Sequence, residues 1–198
     1  MILRGYDDFT KDVTLVSYSE LVENIDLKNT YLKWLNDPSV VAPIMSEDLA
    51  VENKTMSFVD DSFKRFTSEN CQGFFINFNR DDVFIGTIKL DSINQSNKSA
   101  EIGLMIGDRS YWGNKIGEKA VLVILKYAFE NLLLNRCYGG TDESNGRMQN
   151  LFIKTGFVFE GKVREGVYFD GKYSDNYRYS ILKKDYFHDK ESRSVQRS

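Results

Sequence analysis

A chain of 198 residues is long enough for one well-buried core and requires no second domain. With 41% hydrophobic and 14% aromatic residues it is globular rather than disordered, and 26 basic against 29 acidic side chains leave a net charge of −3, which gives no broad basic face for nucleic acid. A single histidine, His188, and two cysteines without metal-ligand spacing, Cys71 and Cys137, disfavour a His base, a Ser–His dyad or a bound metal. The opening segment has no charged region followed by an apolar run, and no apolar stretch is long enough to span a bilayer. The expectation is a cytoplasmic protein, away from the membrane, with its two thiols reduced and buried.

In chain order, Val13 to Tyr18 alternate enough for a first strand. Leu27, Tyr31, Leu32, Trp34 and Leu35 recur at helical spacing, and Asp37-Pro38 stops that helix. Pro38 to Glu47 reads as a loop of apolar content, and a second helix is expected from about Asn53 to Ser68, with Met56, Val59, Phe63 and Phe66 on one face. The period then changes. Phe74 to Phe78 and Val83 to Leu90 are short aromatic and β-branched runs separated by Asn79-Arg80-Asp81-Asp82, a hairpin signal, and Glu101 to Ile106 forms a third antiparallel strand. Ser110 to Gly117 is a Gly-containing turn, and from near Gly117 an amphipathic helix carries Ala120, Val121, Ile124, Tyr127, Ala128 and Leu132 on its core face. Arg136 to Thr141 is the next strand. A short helix from about Gly146 to Thr155 closes on Gly156, and Val158 to Val163 and Tyr173 to Leu182 are closing strands joined by a turn at Asp170-Gly171.

A strand ending where a helix begins leaves free backbone N–H groups at the helix N-terminus, where the dipole favours negative charge. The turn before Gly117 therefore suits a pyrophosphate, although Gly-rich turns also join strands to helices with nothing bound.

The order of elements, with Trp34-Leu35-Asn36-Asp37-Pro38, Ala100-Glu101-Ile102-Gly103 and Tyr111-Trp112-Gly113, resembles the GNAT superfamily of acyl-CoA N-acyltransferases. The nearest branch is the one containing ribosomal-protein N-terminal, spermidine and sugar-nucleotide amine acetyltransferases. The likeness covers roughly residues 13 to 187. The family's phosphate turn, Q/R-x-x-G-x-G/A, falls on Trp112-Gly113-Asn114-Lys115-Ile116-Gly117. Its downstream pattern of Asn, aromatic, Lys and Gly-Phe falls on Asn145, Phe152, Lys154, Gly156 and Phe157. Two positions depart from the pattern: Trp112 replaces Gln or Arg, and Lys115 replaces the middle glycine. Phe152 also stands where many relatives carry a tyrosine proposed to reprotonate the CoA thiolate. A CoA thiol resembles a free Cys thiol, with a pKa of about 8.5, so its departure as thiolate needs little help.

The resemblance implies an α/β (α+β) GNAT fold: one central, mostly antiparallel sheet of about seven strands, splayed in a V between the fourth and fifth, with about four helices. It implies a single domain over residues 1–187 and a polar tail over 188–198. It further implies acetyl-CoA as acyl donor, no metal, a small amine acceptor, and direct attack in a ternary complex. Leu104, Met105 and Ile106 would pair with the pantetheine arm as an added strand does, and a backbone N–H near Leu104 or Met105 would stabilise the oxyanion. The N–H groups from Gly113 to Gly117 would hold the pyrophosphate, with Lys115 either near a CoA phosphate or in solvent.

Glu101, the acid inside the central strand, is the candidate general base, with substrate orientation or a structural hydrogen bond as the other roles open to it. Asp91, at the end of the preceding strand, is the runner-up for the base and a candidate substrate contact, while Asp142 and Glu143 read as solvated charges or substrate contacts. Asn145 would bond the pantetheine or substrate, cap the short helix, or both. Phe152 is a cofactor wall or core, and Lys154 a CoA-phosphate contact or an exposed lysine. Trp34, Tyr31 and Met45 lie where the family builds its acceptor side, or simply pack. Tyr168, Phe169, Tyr173 and Tyr177 suit either a stacking wall for substrate or a homodimer surface.

For the acceptor, the aromatic closing hairpin and the Trp34 region favour an amino-sugar nucleotide of surface-glycan synthesis. A protein N-terminus and a polyamine or aminoglycoside are the alternatives. The acids Glu47, Asp48, Glu52, Asp60 and Asp61 offer a polyamine pocket or a solvated helix face. A GNAT-like module that binds CoA without transferring acetyl is the reading from another class, favoured by Lys115 and Phe152.

Overall fold

The computed structural model describes residues 1–44 and 53–188. Met45, Glu47, Asp48 and Glu52 lie outside the described residues, as does the expected polar tail apart from His188. The strands are β1 (Ile2–Arg4), β2 (Val13–Ser17), β3 (Thr67–Ser68), β4 (Cys71–Phe78), β5 (Val83–Asn94), β6 (Ser99–Ile106), β7 (Arg136–Asp142), β8 (Val158–Phe169) and β9 (Lys172–Leu182). They form one sheet in the order β1-β2-β4-β5-β6-β7-β9-β8, with β3 beside β4. All neighbours are antiparallel except β6 and β7. Seven long strands match the expectation, and the two extra ones are only two or three residues long.

The helices are α1 (Ile25–Leu35), α2 (Pro38–Val41), α3 (Met56–Arg65), α4 (Ile116–Lys126) and α5 (Gly146–Lys154). The expected loop after Asp37 begins instead as α2. The Asp37 carboxylate accepts the Ser39 N–H at 2.8 Å while Pro38 occupies the first helical turn, so Asp-Pro ends one helix and starts another.

Strand β4 is buried on both faces, which is why its Phe74-Phe75-Ile76 run does not alternate. Phe74 and Ile76 join one core with Ile88, Leu90, Ile102 and the apolar residues of α4. Phe75 points the other way, into a second core with Tyr18, Tyr31, Trp34, Phe63 and Met105 under α1 and α3. Registers Phe75↔Thr87 and Thr87↔Met105 place Thr87, Lys89, Asp91, Glu101, Gly103 and Met105 on that second face. Helix α4 is buried well beyond the expected stripe, with Leu122, Val123 and Leu125 also enclosed.

Candidate active site

Strand β6 pairs with β7 only through Ser99↔Arg136, Ala100↔Cys137 and Glu101↔Tyr138. From Ile102 to Ile106 it has no partner on that side, because β7 turns away to follow β9 through Asp142↔Asn176. This is the expected V. Two glycines line its β7 arm. A Cβ on Gly139 would lie 2.6 Å from the Phe152 ring, and one on Gly140 would lie 2.5 Å from the Asn176 side-chain oxygen, so neither position admits a larger residue without displacement.

The far end of β6 leads through a short 3-10 turn, Arg109–Tyr111, into α4. Gly113 and Lys115 take positive φ of 84° and 59°, which aims the chain into the helix. The first helical backbone bond runs from the Lys119 N–H to the Lys115 carbonyl, and no side chain caps the helix. The N–H groups of Ile116, Gly117 and Glu118 therefore leave the helix N-terminus without an intrahelical acceptor. Gly117 packs against Leu151 and Leu104, fixing the helix start beside the unpaired part of β6.

Trp112 has a different role from the Gln or Arg it replaces. Its indole N–H donates to the Ile106 carbonyl at 2.9 Å, tying the turn to the end of β6. The guanidinium groups of Arg109 and Arg147 lie 5.6 and 5.2 Å from its ring. Two cations thus stand by the turn where the family pattern has one, and Lys115 adds a third exposed beside them. The sequence reading missed both arginines, because they become neighbours only through Trp112.

Glu101 is the last β6 residue paired with β7, so it sits at the vertex of the splay. Its side chain is 37% exposed and its ion partner is Arg178 on β9, at 3.6 Å. Directly across β5 is Asp91. Burial raises the Asp91 carboxyl, but its hydrogen bond from Lys89, at 2.6 Å, and the charges of Lys89 and Arg65, at 2.9 Å, hold it below the ordinary carboxylate range. A carboxylate so engaged is a poor proton acceptor, which removes Asp91 as a base. Asp142 is also corrected: it is buried, and it accepts from Ser144 and Ser174, joining the end of β7 to β9.

Several other assignments change. Phe152 is fully buried, stacked on Tyr179 at 5.1 Å and beside Phe157 at 4.9 Å, so it is core rather than a cofactor wall. Trp34 is 8% exposed, and a Cβ on Gly107 would meet its ring at 2.1 Å, so it packs beneath the exit of β6 instead of touching substrate. Tyr173 is 66% exposed near the tip of the β8–β9 hairpin, against Tyr168. It is not among the residues lining the cavity described below. Asn145 caps α5 through the Met148 N–H at 3.1 Å, and its amide donates to the Pro43 carbonyl at 3.0 Å. Both halves of that side chain are committed within the protein. Lys154 is exposed and pairs with Glu118 in the first turn of α4, at 3.4 Å.

On the second face of the sheet a cavity of about 460 Å3 opens between α1, α3 and strands β5 and β6. Gly103, Leu104 and Met105 of the unpaired β6 segment form part of its wall, with Tyr18, Tyr31, Phe58 and Phe66. Ile44 also lines it, and the Asn145 bond to Pro43 steadies the segment that carries Ile44. Arg65 and Lys89 reach into it. A strand with exposed backbone, a helix N-terminus at one end and an open cavity at its flank can hold a nucleotide thioester and a second small molecule together.

Comparison with known proteins identifies the family and the fold. The model of the acetyltransferase (GNAT) domain family matches residues 19–158. An uncharacterised N-acetyltransferase of Bacillus licheniformis is 34% identical over 105 residues, 53% of this chain and 58% of that protein. The ribosomal-protein-serine acetyltransferase of Escherichia coli is 26% identical over 96 residues, 48% of this chain and 53% of that protein. The chain thus spans little more than half the length of these relatives. Among solved structures, a spermidine N-acetyltransferase of Vibrio cholerae in complex with CoA and spermine shares the fold with a TM-score of 0.77 at 22% identity, covering 89% of this chain and 98% of that one. Among the described residues no helix is long and apolar enough to cross a membrane. With the family match running through most of its length, the chain belongs to the acetyltransferase (GNAT) domain family.

Proposed function

We propose that this protein transfers the acetyl group of acetyl-CoA to a primary amine by direct attack within a ternary complex. The observation that carries the reading is the unpaired β6 segment from Ile102 to Ile106, ending beside the uncapped N-terminus of α4. The free amides of Ile116 to Glu118, with Arg109, Arg147 and Lys115 nearby, hold the diphosphate. The pantetheine arm then lies along β6 as an added strand, and a β6 N–H near Leu104 or Met105 meets the developing oxyanion.

Glu101, at the vertex, accepts the proton of the incoming amine directly or through water. The amine nitrogen bonds to the thioester carbon, the C–S bond breaks, and sulfur leaves as thiolate. With Phe152 buried and lacking a proton, the thiolate is protonated by water.

The acceptor class is narrower than the activity. The relatives offer a ribosomal protein and spermidine, so a protein N-terminus and a polyamine stand at least level with the amino-sugar nucleotide expected from the aromatic hairpin. Tyr173 and Tyr168, two of the aromatic residues behind that expectation, belong to the hairpin tip rather than to the cavity wall.

Free thiol release from acetyl-CoA in the presence of a panel of amines tests the reading. Amine-dependent thiol release supports it. Tight acetyl-CoA binding without turnover of any amine would make the chain a binding module instead.

A further inference from the structure

Among the described residues the cavity wall sets the single acid Asp61 against the cations Arg65 and Lys89, which is not the dense acidic pocket a polyamine wants; Glu47, Asp48 and Glu52 lie outside the described residues. Of the acids expected to form a polyamine pocket, Asp60 is held by Lys28 at 2.8 Å and Asp61, on the cavity rim, by Lys64 at 3.1 Å. The cations Arg65 and Lys89 share a single carboxylate oxygen, Asp91 Oδ2, while Asp91 Oδ1 accepts the Ser92 N–H. One carboxylate cannot neutralise two cations, and Arg65 and Lys89 keep several N–H donors unused by Asp91. Gly103 leaves room for this arrangement, since a Cβ there would lie 2.7 Å from the Lys89 stem as it crosses β6.

The rest of the cavity is lined mainly by apolar residues, both aromatic and aliphatic, with Asp61, Ser62 and Thr87 as its other polar residues. At its wall the hydroxyl of Tyr18, a residue with no exposed surface, has no hydrogen-bond partner. Tyr31 and Thr87 are its polar neighbours, neither in bonding geometry.

We propose that the acceptor is an α-amino acid with a large apolar or aromatic side chain, a reading that rests on the acetyltransferase function above. Asp91 stands opposite Glu101, with a cross-strand spacing of about 5 Å between their Cβ atoms, and the two cations are bonded to Asp91. That spacing suits a carboxylate and an amine on the same carbon: the carboxylate meets Arg65 and Lys89, the amine meets Glu101, and the side chain enters the mainly apolar cavity. The amine nitrogen gains the acetyl carbon, its proton passes to Glu101, and the CoA sulfur leaves with the C–S electron pair. A polyamine would bring its second ammonium against Arg65 and Lys89.

The test uses the full-length chain, acetyl-CoA, and three acceptors: L-phenylalanine, L-phenylalaninamide and spermidine, followed by thiol release. Phenylalanine is expected to exceed both others in kcat/KM by about tenfold or more, because a site built for a carboxylate strongly rejects the analogue lacking it. In Lys89→Met, which keeps the stem over Gly103, and in Arg65→Gln, the preference for phenylalanine over its amide collapses towards one. Equal or faster turnover of the amide or spermidine overturns the proposal, as does a preference unchanged in both variants. Acetyl-CoA binding by calorimetry separates the two levels. Binding with spermidine turnover sinks only the acceptor assignment, whereas no acetyl-CoA binding sinks the enzyme reading itself. If acetyl-CoA binds and no amine is turned over, a phenylalanine-induced rise in melting temperature in the presence of CoA upholds the pocket, and its absence refutes it.

Discussion

Asp91 and Glu101 stand directly opposite one another on β5 and β6, yet they are held in unlike ways. Asp91 is locked by Lys89 at 2.6 Å and Arg65 at 2.9 Å, whereas the ion partner of Glu101 among the described residues is Arg178, at 3.6 Å, and its side chain is 37% exposed. One carboxylate holds two cations, while the other is the residue we propose as the base.

That difference predicts unlike mutants. Glu101→Gln should lower kcat by about 100-fold or more while changing stability by less than about 1 kcal/mol, since it removes a base but only a long, part-exposed ion pair. Asp91→Asn should lower kcat far less and act on acceptor KM, by releasing Lys89 and Arg65. Thiol-release kinetics and thermal melts of the two proteins check this. A fully active Glu101→Gln protein would refute the base assignment and leave the fold reading intact.

The arginines around Trp112 give a second prediction. Arg109→Ala and Arg147→Ala should each weaken acetyl-CoA binding by about three- to tenfold at low salt, and the loss should shrink as salt rises. Calorimetric titration at two ionic strengths measures both. Affinities unchanged at low salt would mean that these cations serve only to pack the indole.

Phe152 separates a core role from a cofactor wall. Truncation to Ala should destabilise the fold by about 3–5 kcal/mol, because the ring is fully buried against Tyr179 and Phe157 and fills the space above Gly139. Chemical denaturation reads the loss. A small loss of stability with a large loss of acetyl-CoA affinity would restore the wall assignment.

Acid sensitivity follows from Glu160. Both of its oxygens accept from Arg136 at 2.6 Å and one also from Ser180 at 2.7 Å, and the paired Arg136, against some cost of burial, draws its pKa from 4.5 down to about 2. A carboxyl with a depressed folded-state pKa contributes stability that is complete above its unfolded pKa and is lost as pH falls through the folded one. Melting temperature should therefore fall between pH 4.5 and about 2, and Glu160→Gln should be less stable at neutral pH with a flatter acid limb. Partial exposure of the pair keeps the effect modest. Parallel acid limbs in the two proteins would contradict it.

Much of this fold is legible in the sequence, and the exceptions have physical causes. The Phe74–Phe78 and Val83–Leu90 runs and the α4 stripe carry their periods openly, because each meets the core along a continuous face. Strand β1 is only three residues long and exists because β2 offers it an edge, so no local pattern announces it. Asp37-Pro38 reads as a stop although the same two residues supply a cap and a first turn. The vertex residue Glu101 and the uncapped α4 N-terminus are visible from residue type and spacing. Asp91 stands out in the sequence, but Lys89, two residues before it on the same strand face, does not. Their partner Arg65 comes from α3 and Arg178 from β9, and such pairings form only when distant elements meet. Trp34 and Phe152 misled for the opposite reason: large aromatic residues near a site are buried as readily as they line it.

The account depends most on the grip of the α4 amides and the unpaired β6 segment on a nucleotide thioester. Calorimetric titration of the full-length protein with acetyl-CoA tests that grip directly. The account predicts saturable binding at a single site, weakened by Arg147→Ala and by added salt. No heat of binding, and no rise in melting temperature with acetyl-CoA in excess at low salt, would contradict it.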